Sequence, residues 1–447
     1  MKQRTFALLL AGALALSLLG AGALAAEGDI SITSEGQAGT AASTREDEGA
    51  PAEAYIPDPE GTLSFANLNR RMYENNLQIL AIQESVNMLE EIDYDDLQDD
   101  LRSTLNQLAQ AQWAMLQMSK YGTVIGSGEG GFGAIVQINQ TGILAYDKLS
   151  QTYTAVREQF DAIKDGDLQA DNADTVRQLK NLQNQIVMAG EATYIALAAM
   201  EIQDGGLERQ LSALDRTIQE LELRYELGHI SSLTLQQAQA GRTALTSALS
   251  TLRMNLNTYK GQLELLLGAD ITGEISLGAL PRVTQQELDD MELERDLETA
   301  KANSWSLYEA AGTLEDAEEA YDDAGGDNSY DRKKDNISYM RVRHSWFAAQ
   351  YTYDNTVQNF ELGLRNLYLK VQDYKQILDA AKTALAVEQD SYAAAQLKHS
   401  QGTLSLNGLL EAEDKLSEAK EKVAGAENDL FSAYNTYRWA VDYGILN

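Results

Sequence analysis

Twice in this 447-residue chain, a glycine is followed by a helical segment whose apolar residues have the same regular spacing. This repetition restricts the folds that the chain can adopt. Beyond Gly228, apolar residues recur at steps of three and four, an average of 3.5 residues that keeps one helix face against a partner helix. The same register occurs again beyond Gly402. The first set is Leu245, Leu249, Leu252, Leu256, Tyr259, Leu263 and Leu266, and the second is Ala419, Val423, Ala426, Leu430, Ala433, Tyr437 and Ala440. This pattern predicts an all-α fold of duplicated, long antiparallel coiled-coil hairpins.

The prolines mark the boundaries of the chain's segments, because proline breaks the interior of a helix. Three of the four prolines lie between residues 51 and 59, and the fourth is Pro281. The predicted segments are a signal peptide at 1–25, a disordered acidic leader at 26–60, a first helical repeat at 61–268, a linker at 269–283 and a second helical repeat at 284–447.

The first segment has the features of a secretory signal. Lys2 and Arg4 precede an apolar run that ends in the small residues Ala23 and Ala25, and no later stretch is apolar enough to span a bilayer as a helix. The chain has no cysteine, so packing and self-association must hold its helices together. Its net charge of −33 argues against nucleic acid as a partner and leaves three readings, a solvated acidic face, a negatively lined passage or a basic partner.

The two repeats open on related helices but differ in length. We pair Leu68–Leu77 with Leu297–Ser306. Gly228 follows Asn75 by 153 positions, whereas Gly402 follows Asn303 by only 99, so the first repeat carries 54 extra residues. The second repeat is predicted to contain one helix from about Ile337 to Lys398. Its seam would be Phe360, Leu364, Leu367, Val371, Tyr374, Leu378, Ala381 and Leu385.

The sequences around the two glycines, Arg224–Gln239 and Gln401–Ala412, resemble those of the TolC-like outer-membrane efflux family. The family pattern has an aromatic residue, a glycine, a small polar residue and leucines leading into Ala-Gln. A heptad helix ending in Leu-Gly follows, here Leu267-Gly268. The resemblance covers nearly all of the mature chain as an architecture.

The resemblance implies a homotrimer whose helices form a hollow cylinder in the cell envelope, in the outer membrane or associated with the periplasm or cell wall. Such a conduit receives cargo from an ABC- or RND-type transporter through a periplasmic adaptor (membrane fusion) protein. The adaptor-docking hairpin turns would be those at Gly228, Ser231, Gly402 and Ser405.

The resemblance also implies a constriction of the tunnel near the second glycine. Glu411 matches a constricting carboxylate nine residues after it, whereas the acidic position six after it is Gly408 here. His399 replaces an aromatic residue three before that glycine, and Thr234 stands where many members have Asp in the first hairpin. The closing network is therefore expected to be altered.

The membrane-inserting strands of Gram-negative members have few counterparts here. The first repeat offers only Thr123–Ile125 and Phe132–Ile138 as strand candidates, and the second repeat offers none. A membrane-spanning strand needs about 9–11 residues of alternating polarity. We therefore expect no complete outer-membrane barrel and at most one short β-hairpin.

No catalytic motif or cofactor site stands out in the sequence, so we expect neither an enzyme nor a cofactor. The acidic residues between Glu315 and Asp331 lack the ligand spacing of a calcium loop and favour a solvated tip over a Ca²⁺ site. The main hypothesis is an efflux or secretion conduit. The alternatives are a non-channel structural coiled coil that spans the envelope and a secreted soluble coiled coil that binds a partner along its acidic face.

Overall fold

The computed structural model describes residues 57–59, 61–121, 131–324 and 337–446, with side chains described outside 118–145. The predicted signal peptide at 1–25 and most of the leader at 26–60 lie outside the described residues. The described helices are α1 (Phe65–Asn75), α2 (Leu77–Glu90), α3 (Tyr94–Tyr121), α4 (Gly131–Asp165), α5 (Asp167–Glu226), α6 (Ser232–Leu266), α7 (Gln285–Asp289), α8 (Leu293–Asn303), α9 (Trp305–Asp323), α10 (Ile337–Ser400) and α11 (Leu406–Tyr443). Two short strands are β1 (Thr62–Leu63) and β2 (Ser276–Leu277).

Long uninterrupted helices dominate the described chain, which confirms the predicted all-α class. The longest, α10, has 64 residues. At about 1.5 Å per residue it reaches about 96 Å, several times the length of an average globular helix. No proline falls inside a described helix, so nothing in the sequence forces the backbone of α10 to break.

The chain divides into two compact units. The first contains residues 83–180, with α3 packed along α4, and the second contains 54–82 and 181–447. In the second unit, α10 packs along α11 and α9, and α8 packs against α10 and α11. The boundaries of these units differ from those of the predicted repeats at 61–268 and 284–447. The repeats were defined by duplication in the sequence and not by compactness, so the repeat boundaries stay a prediction.

The second unit holds the buried core. Four residues of the predicted α10 seam, Phe360, Leu364, Val371 and Leu378, are at most 6% exposed. They share a cluster with α11 residues of the duplicated register, Ala426, Leu430, Ala433, Tyr437 and Ala440. A second cluster joins α1, α5, α6 and the linker. The 3.5-residue period therefore identified most of the buried residues of these helices. Tyr259 is an exception, since it lies on the predicted register of α6 but is exposed.

Both repeats break a helix at one equivalent residue. Asn76 separates α1 from α2 with φ −71° and ψ 117°, and Ser304 separates α8 from α9 with φ −73° and ψ 118°. The Asn76 side chain accepts a hydrogen bond from the backbone N–H of Ile79 at 3.0 Å, and Ser304 caps the N–H of Leu307 at 3.4 Å. The structure thus pairs Asn76 with Ser304, one residue away from the predicted pairing of Leu68–Leu77 with Leu297–Ser306. The apolar spacing was sufficient to predict the helices, but not to decide which residues of the two repeats are equivalent.

The strand candidate Phe132–Ile138 does not form a strand, because these residues belong to α4. Their glycine-flanked apolar run is compatible with either structure, and helix prevails. The other strand candidate, Thr123–Ile125, lies outside the described residues. The described strands instead form one parallel pair in which Thr62 lies opposite Ser276 and Leu63 opposite Leu277. Among the described residues, no helix is both long and apolar enough to cross a membrane.

The linker is tied to the helices by two buried polar side chains. The hydroxyl of Tyr194 on α5 lies 2.9 Å from the carbonyl oxygen of Leu63 and 2.7 Å from that of Gly278, and burial raises its pKa to about 12. The carboxylate of Glu264 on α6 is only 3% exposed. It accepts hydrogen bonds from the backbone N–H groups of residues 272 to 275, at 2.6 to 3.2 Å. The linker thus folds around one buried negative charge.

The Glu264 carboxylate should make stability depend on pH. Burial acts to raise its pKa, but the hydrogen bonds from Gly273, Thr272 and Ile275 outweigh burial and lower the pKa below its usual value. The stability it contributes is present above the unfolded-state pKa and is lost as the pH falls through the lower folded-state pKa. We expect the free energy of unfolding to fall more steeply below about pH 5 in the native chain than in Glu264→Gln.

Denaturant unfolding followed by circular dichroism, at several pH values and one protein concentration, measures this difference. At neutral pH, Glu264→Gln should cost about 2 kcal/mol, since charge-assisted hydrogen bonds are lost from a buried site. Parallel pH profiles for the native chain and the variant would show that Glu264 is not the titrating group.

Candidate functional site: the two glycine turns

The first turn ends α5 at a glycine in the left-handed region. Gly228 has φ +74°. The N–H of His229 donates to the carbonyl oxygen of Arg224 at 2.8 Å, and that of Gly228 to Tyr225 at 2.9 Å. These two bonds form a Schellman motif, which satisfies carbonyl groups that the helix end leaves free. Ser231 then caps α6, because its hydroxyl accepts from the N–H of Thr234 at 3.3 Å.

The second turn repeats this geometry bond for bond. Gly402 has φ +71°, and the N–H of Thr403 donates to the carbonyl oxygen of Lys398 at 2.9 Å. Ser405 caps α11 by accepting from the N–H of Gly408 at 3.2 Å. The agreement of Gly228 with Gly402 and of Ser231 with Ser405 is what two copies of one hairpin would produce.

The two turns lie at the same end of the second unit. Arg209 on α5 forms a two-pronged ion pair with Glu421 on α11, at 2.8 and 3.0 Å. Nearer the turns, Arg216 pairs with Asp414. The second ion pair is thus closer than the first to Gly228 along α5 and also closer to Gly402 along α11. The two helices therefore run antiparallel, with both turns at the same end.

These cross-repeat ion pairs were not predicted, although the sequence contains a signal for them. Arg209 precedes Gly228 by the same distance along the chain at which Glu421 follows Gly402. Arg216 and Asp414 are matched in the same way, one heptad closer to the two glycines. Opposite charges at equal distances from two turns would meet if the turns were aligned. The two glycines were aligned in the sequence, but the charged residues at equal distances from them were not compared.

We expect the Arg209–Glu421 pair to couple the two repeats measurably. Its side chains are 17% and 28% exposed, and both guanidinium bonds are short. A double-mutant cycle with Arg209→Ala and Glu421→Ala should give a coupling free energy of about 1–2 kcal/mol in urea unfolding. The exposed pair Arg70–Glu74 within α1 is the control and should give about 0.5 kcal/mol or less. Equal values for the two cycles would contradict a special role for the inter-repeat pair.

The tips carry exposed apolar side chains. Leu227 is 62% exposed, Leu233 60% and Leu406 59%. In the described structure these leucines contribute little to the buried core. Their exposure makes the tip a candidate contact surface.

The predicted constriction residues make separate local contacts in the described structure. Thr234 is exposed, and its hydroxyl lies 3.2 Å from that of Ser231. His399 is half-buried and its Nδ1 donates to the carbonyl oxygen of Leu404 at 2.9 Å. Glu411 is exposed on α11 beside the second turn. Within one chain these three side chains form no common cluster, so any constriction needs further copies.

A buried carboxylate on α5, distant from the turn at Gly228, was also not predicted from the sequence. Glu191 is 4% exposed and accepts hydrogen bonds from Asn69 at 2.6 Å, Asn435 at 2.7 Å and the indole N–H of Trp439 at 2.5 Å. This carboxylate joins α1, α5 and α11. Among the described residues, no group of three or more His, Cys, Asp or Glu side chains could hold a metal ion.

No family model matches the chain, and no curated protein is similar to it. Among solved structures, it is similar to the outer membrane protein VceC from Vibrio cholerae, with 11% identity and a TM-score of 0.45 over 85% of this chain and 96% of that one. The outer-membrane channel OprN shares 14% identity at a TM-score of 0.46, over 85% of this chain and 90% of that one. The CmeC outer membrane channel of Campylobacter jejuni shares 13% identity at a TM-score of 0.40, over 82% and 86%. Identities this low leave the activity of this chain to be inferred from its own residues.

Proposed function

We propose that the chain is the conduit subunit of an export system of the cell envelope. In this proposal the signal peptide exports it, three copies close a hollow tube, and the turns at Gly228 and Gly402 dock on a periplasmic adaptor protein. The adaptor would connect the tube to an ABC- or RND-type transporter. The observation that carries the proposal is the position of both glycine turns at one end, joined by the ion pairs between α5 and α11.

Association of copies is supported by apolar side chains that the single chain leaves exposed. Tyr351, Leu362, Leu369 and Val387 are 58 to 70% exposed on α10. Each of their spacings along the chain is close to a whole number of helical turns, so they share one face. A separate exposed set on α6 includes Met254 and Leu265. Two different exposed apolar faces favour head-to-tail contacts, which close into a ring when the rotation allows.

The tunnel constriction remains part of the proposal. In a ring of three, the exposed Glu411 side chains would meet near the axis and attract cations. His399, beside the same turn, and Thr234, beside the other turn, would contribute to the same constriction. Glu411→Gln should then weaken the block of ion conductance by polyvalent cations in a lipid bilayer recording. Glu222, an exposed glutamate on α5, provides the control substitution Glu222→Gln. Unchanged block in Glu411→Gln would remove this residue from the pore.

The alternative function is a non-channel coiled coil that spans the envelope. It is favoured by the helical backbone of residues 132–138, which were a strand candidate in the sequence. Such a protein would keep the paired helices and the turns without enclosing a passage.

Electron microscopy of the purified mature protein separates the two functions. A conduit predicts particles with three copies around an open lumen, and light scattering should give about three times the mass of one chain. Single chains, or a bundle with a filled centre, would contradict the conduit and favour the structural alternative.

A further inference from the structure

The first turn of α11 contains an asparagine that is followed by a glycine. Asn407–Gly408 is the only Asn-Gly pair in the chain, and Asn407 is exposed. The backbone nitrogen of a residue can attack the side-chain carbonyl carbon of a preceding asparagine and close a five-membered ring. A following glycine leaves this approach open, because glycine has no Cβ atom and a flexible backbone. The pair therefore has a reactivity that neither the helix nor the proposed docking role of the turn uses.

The packing of the second turn favours a glycine at this position. A Cβ atom on Gly408 would lie 2.7 Å from Cδ1 of Leu404, whose side chain reaches the start of α11. The carbonyl oxygen of Leu404 is bound in turn by Nδ1 of His399, at 2.9 Å. A larger residue at 408 would crowd the Leu404 side chain. The close approach thus accounts for the glycine, and the reactive pair is its consequence.

The described conformation holds the attacking nitrogen away from its target. Asn407 belongs to α11, and the helical ψ of about −42° does not allow the five-membered ring to close. The N–H of Gly408 is one of the first N–H groups of α11, which have no acceptor within the helix. It donates instead to the hydroxyl of Ser405 at 3.2 Å. The reaction therefore requires the first turn to open, and the Ser405 cap opposes this opening.

The reaction balances with water as the only co-reactant. The Gly408 nitrogen loses its proton to water and bonds to Cγ of Asn407, whose side-chain amide group takes up a proton and leaves as ammonia. Water then opens the succinimide ring. Cleavage between the Gly408 nitrogen and Cγ gives aspartate, and cleavage between that nitrogen and the backbone carbonyl carbon gives isoaspartate. Either product carries a negative charge where the amide was neutral, and isoaspartate also lengthens the backbone by a methylene group.

The new charge would break a contact between the two repeats. Nδ2 of Asn407 donates to Oε2 of Glu220 on α5 at 3.3 Å, and the other Glu220 oxygen pairs with Arg224. Conversion replaces this donor by a second carboxylate. Glu411, one helical turn farther along α11, adds another like charge. The start of a helix favours an anion, so α11 itself tolerates the charge, whereas its contact with α5 does not.

We propose that Asn407 is a site of spontaneous deamidation, that the Ser405 cap controls its rate, and that the conversion releases the start of α11 from α5. The contact between Asn407 and Glu220 joins residues 187 positions apart, so its loss changes how the two repeats meet. The proposal goes beyond the conduit function and does not depend on it.

Incubation of the full mature chain at mildly alkaline pH, followed by tryptic mass mapping, tests the site. The peptide His399–Lys415 contains Asn407 as its only asparagine. It should gain the mass difference between a hydroxyl and an amino group, and faster at higher pH because the attacking nitrogen must lose a proton. Asn303, which is also exposed but donates to two carbonyl oxygens, is the internal comparison and should convert more slowly. Asn407→Gln keeps an amide on a longer side chain and should abolish the mass gain.

Two matched cap variants test the control by Ser405. Ser405→Ala removes the acceptor of the Gly408 N–H and should speed conversion about fivefold, the rise in the opened turn expected when an N-cap is lost. Ser231→Ala removes the equivalent cap of the first turn and should leave the rate at Asn407 unchanged. Equal rates in the native chain and Ser405→Ala would overturn the proposal. So would a native Asn407 that stays unmodified while the urea-denatured chain is fully converted.

The release of α11 is measured on the converted protein itself. Ion exchange separates it from the unconverted chain by its extra charge. Backbone amides in the first turns of α11 should exchange hydrogen several-fold faster in the converted fraction, whereas those around the buried Leu430 should exchange at equal rates. Identical exchange of the first turns in the two fractions would contradict the release.

Discussion

Alanine at Gly268 or Gly444 is expected to destabilise the second unit by about 3–5 kcal/mol, far more than alanine at Gly228. Gly268 ends the helix that precedes the linker, with φ +61°, and Gly444 ends α11 with φ +65°. A Cβ atom on Gly268 would lie less than 3.0 Å from the backbone oxygen of Asn75, and one on Gly444 would lie as close to the Cα atom of Ser304. Each glycine therefore lies in close contact with the backbone where a helix of its own repeat is interrupted, near Asn76 for Gly268 and at Ser304 for Gly444.

The comparison with Gly228 separates two physical effects. Gly228 also has a positive φ, but a Cβ atom there would meet nothing within 4 Å. Gly228→Ala therefore carries only the cost of the left-handed backbone, about 1–2 kcal/mol. Gly268→Ala and Gly444→Ala carry this cost and must also move backbone atoms, which a packed core resists.

Urea unfolding of the three variants at one protein concentration measures the difference. The concentration must be fixed because association of copies would itself stabilise the fold. Equal losses in all three variants would mean that the helix breaks at Asn76 and Ser304 relax freely, and that the close approach seen in the structure has little energetic weight.

Glu191→Ala is expected to cost about 3–5 kcal/mol, because two half-buried amides and one buried indole N–H lose their acceptor and a cavity remains. The donors are the amide of Asn69, the amide of Asn435 and the indole N–H of Trp439. The cavity would lie between α1, α5 and α11. Because these helices belong to both predicted repeats, the loss should loosen the joint between the repeats and not one hairpin alone.

The matched control is Glu222→Ala, since Glu222 is exposed on the same helix. A surface change of this kind should stay within about 0.5 kcal/mol. Hydrogen exchange adds a spatial readout: Glu191→Ala should raise exchange in α1 and in the part of α11 near Trp439 together. If Glu191→Ala unfolds at the same urea concentration as the native chain, the buried carboxylate is energetically neutral.

Helix identity and the buried faces could be predicted from the sequence because they depend on local periodicity. The α10 seam at Leu364 and Val371 and the α11 seam at Leu430 and Tyr437 follow directly from the 3.5-residue spacing. The turns at Gly228 and Gly402 could also be located, because a positive φ at a helix end is nearly specific to glycine. The strand at Phe132–Ile138 could not be judged in this way, because a short apolar run fits a helix or a strand equally well.

The candidate site was only partly accessible to sequence reasoning. Ser231 and Ser405 cap their helices through local bonds that their spacing from the glycines already indicates. The roles assigned to Glu411, His399 and Thr234 depend on neighbouring copies and stay predictions. The partners of Glu191 and Glu264 could not be inferred, because each carboxylate meets groups far away in the chain or in an irregular linker.

The sequence by itself determined where the helices run, which faces they bury and where the chain reverses, because these properties arise from contacts within a few residues. The tertiary structure alone decided which charges join α5 to α11, that Asn76 is equivalent to Ser304, and that Glu191 binds three helices together. These features depend on which helix faces which, and this choice is made by packing and charge pairing between residues such as Arg209 and Glu421, more than two hundred positions apart.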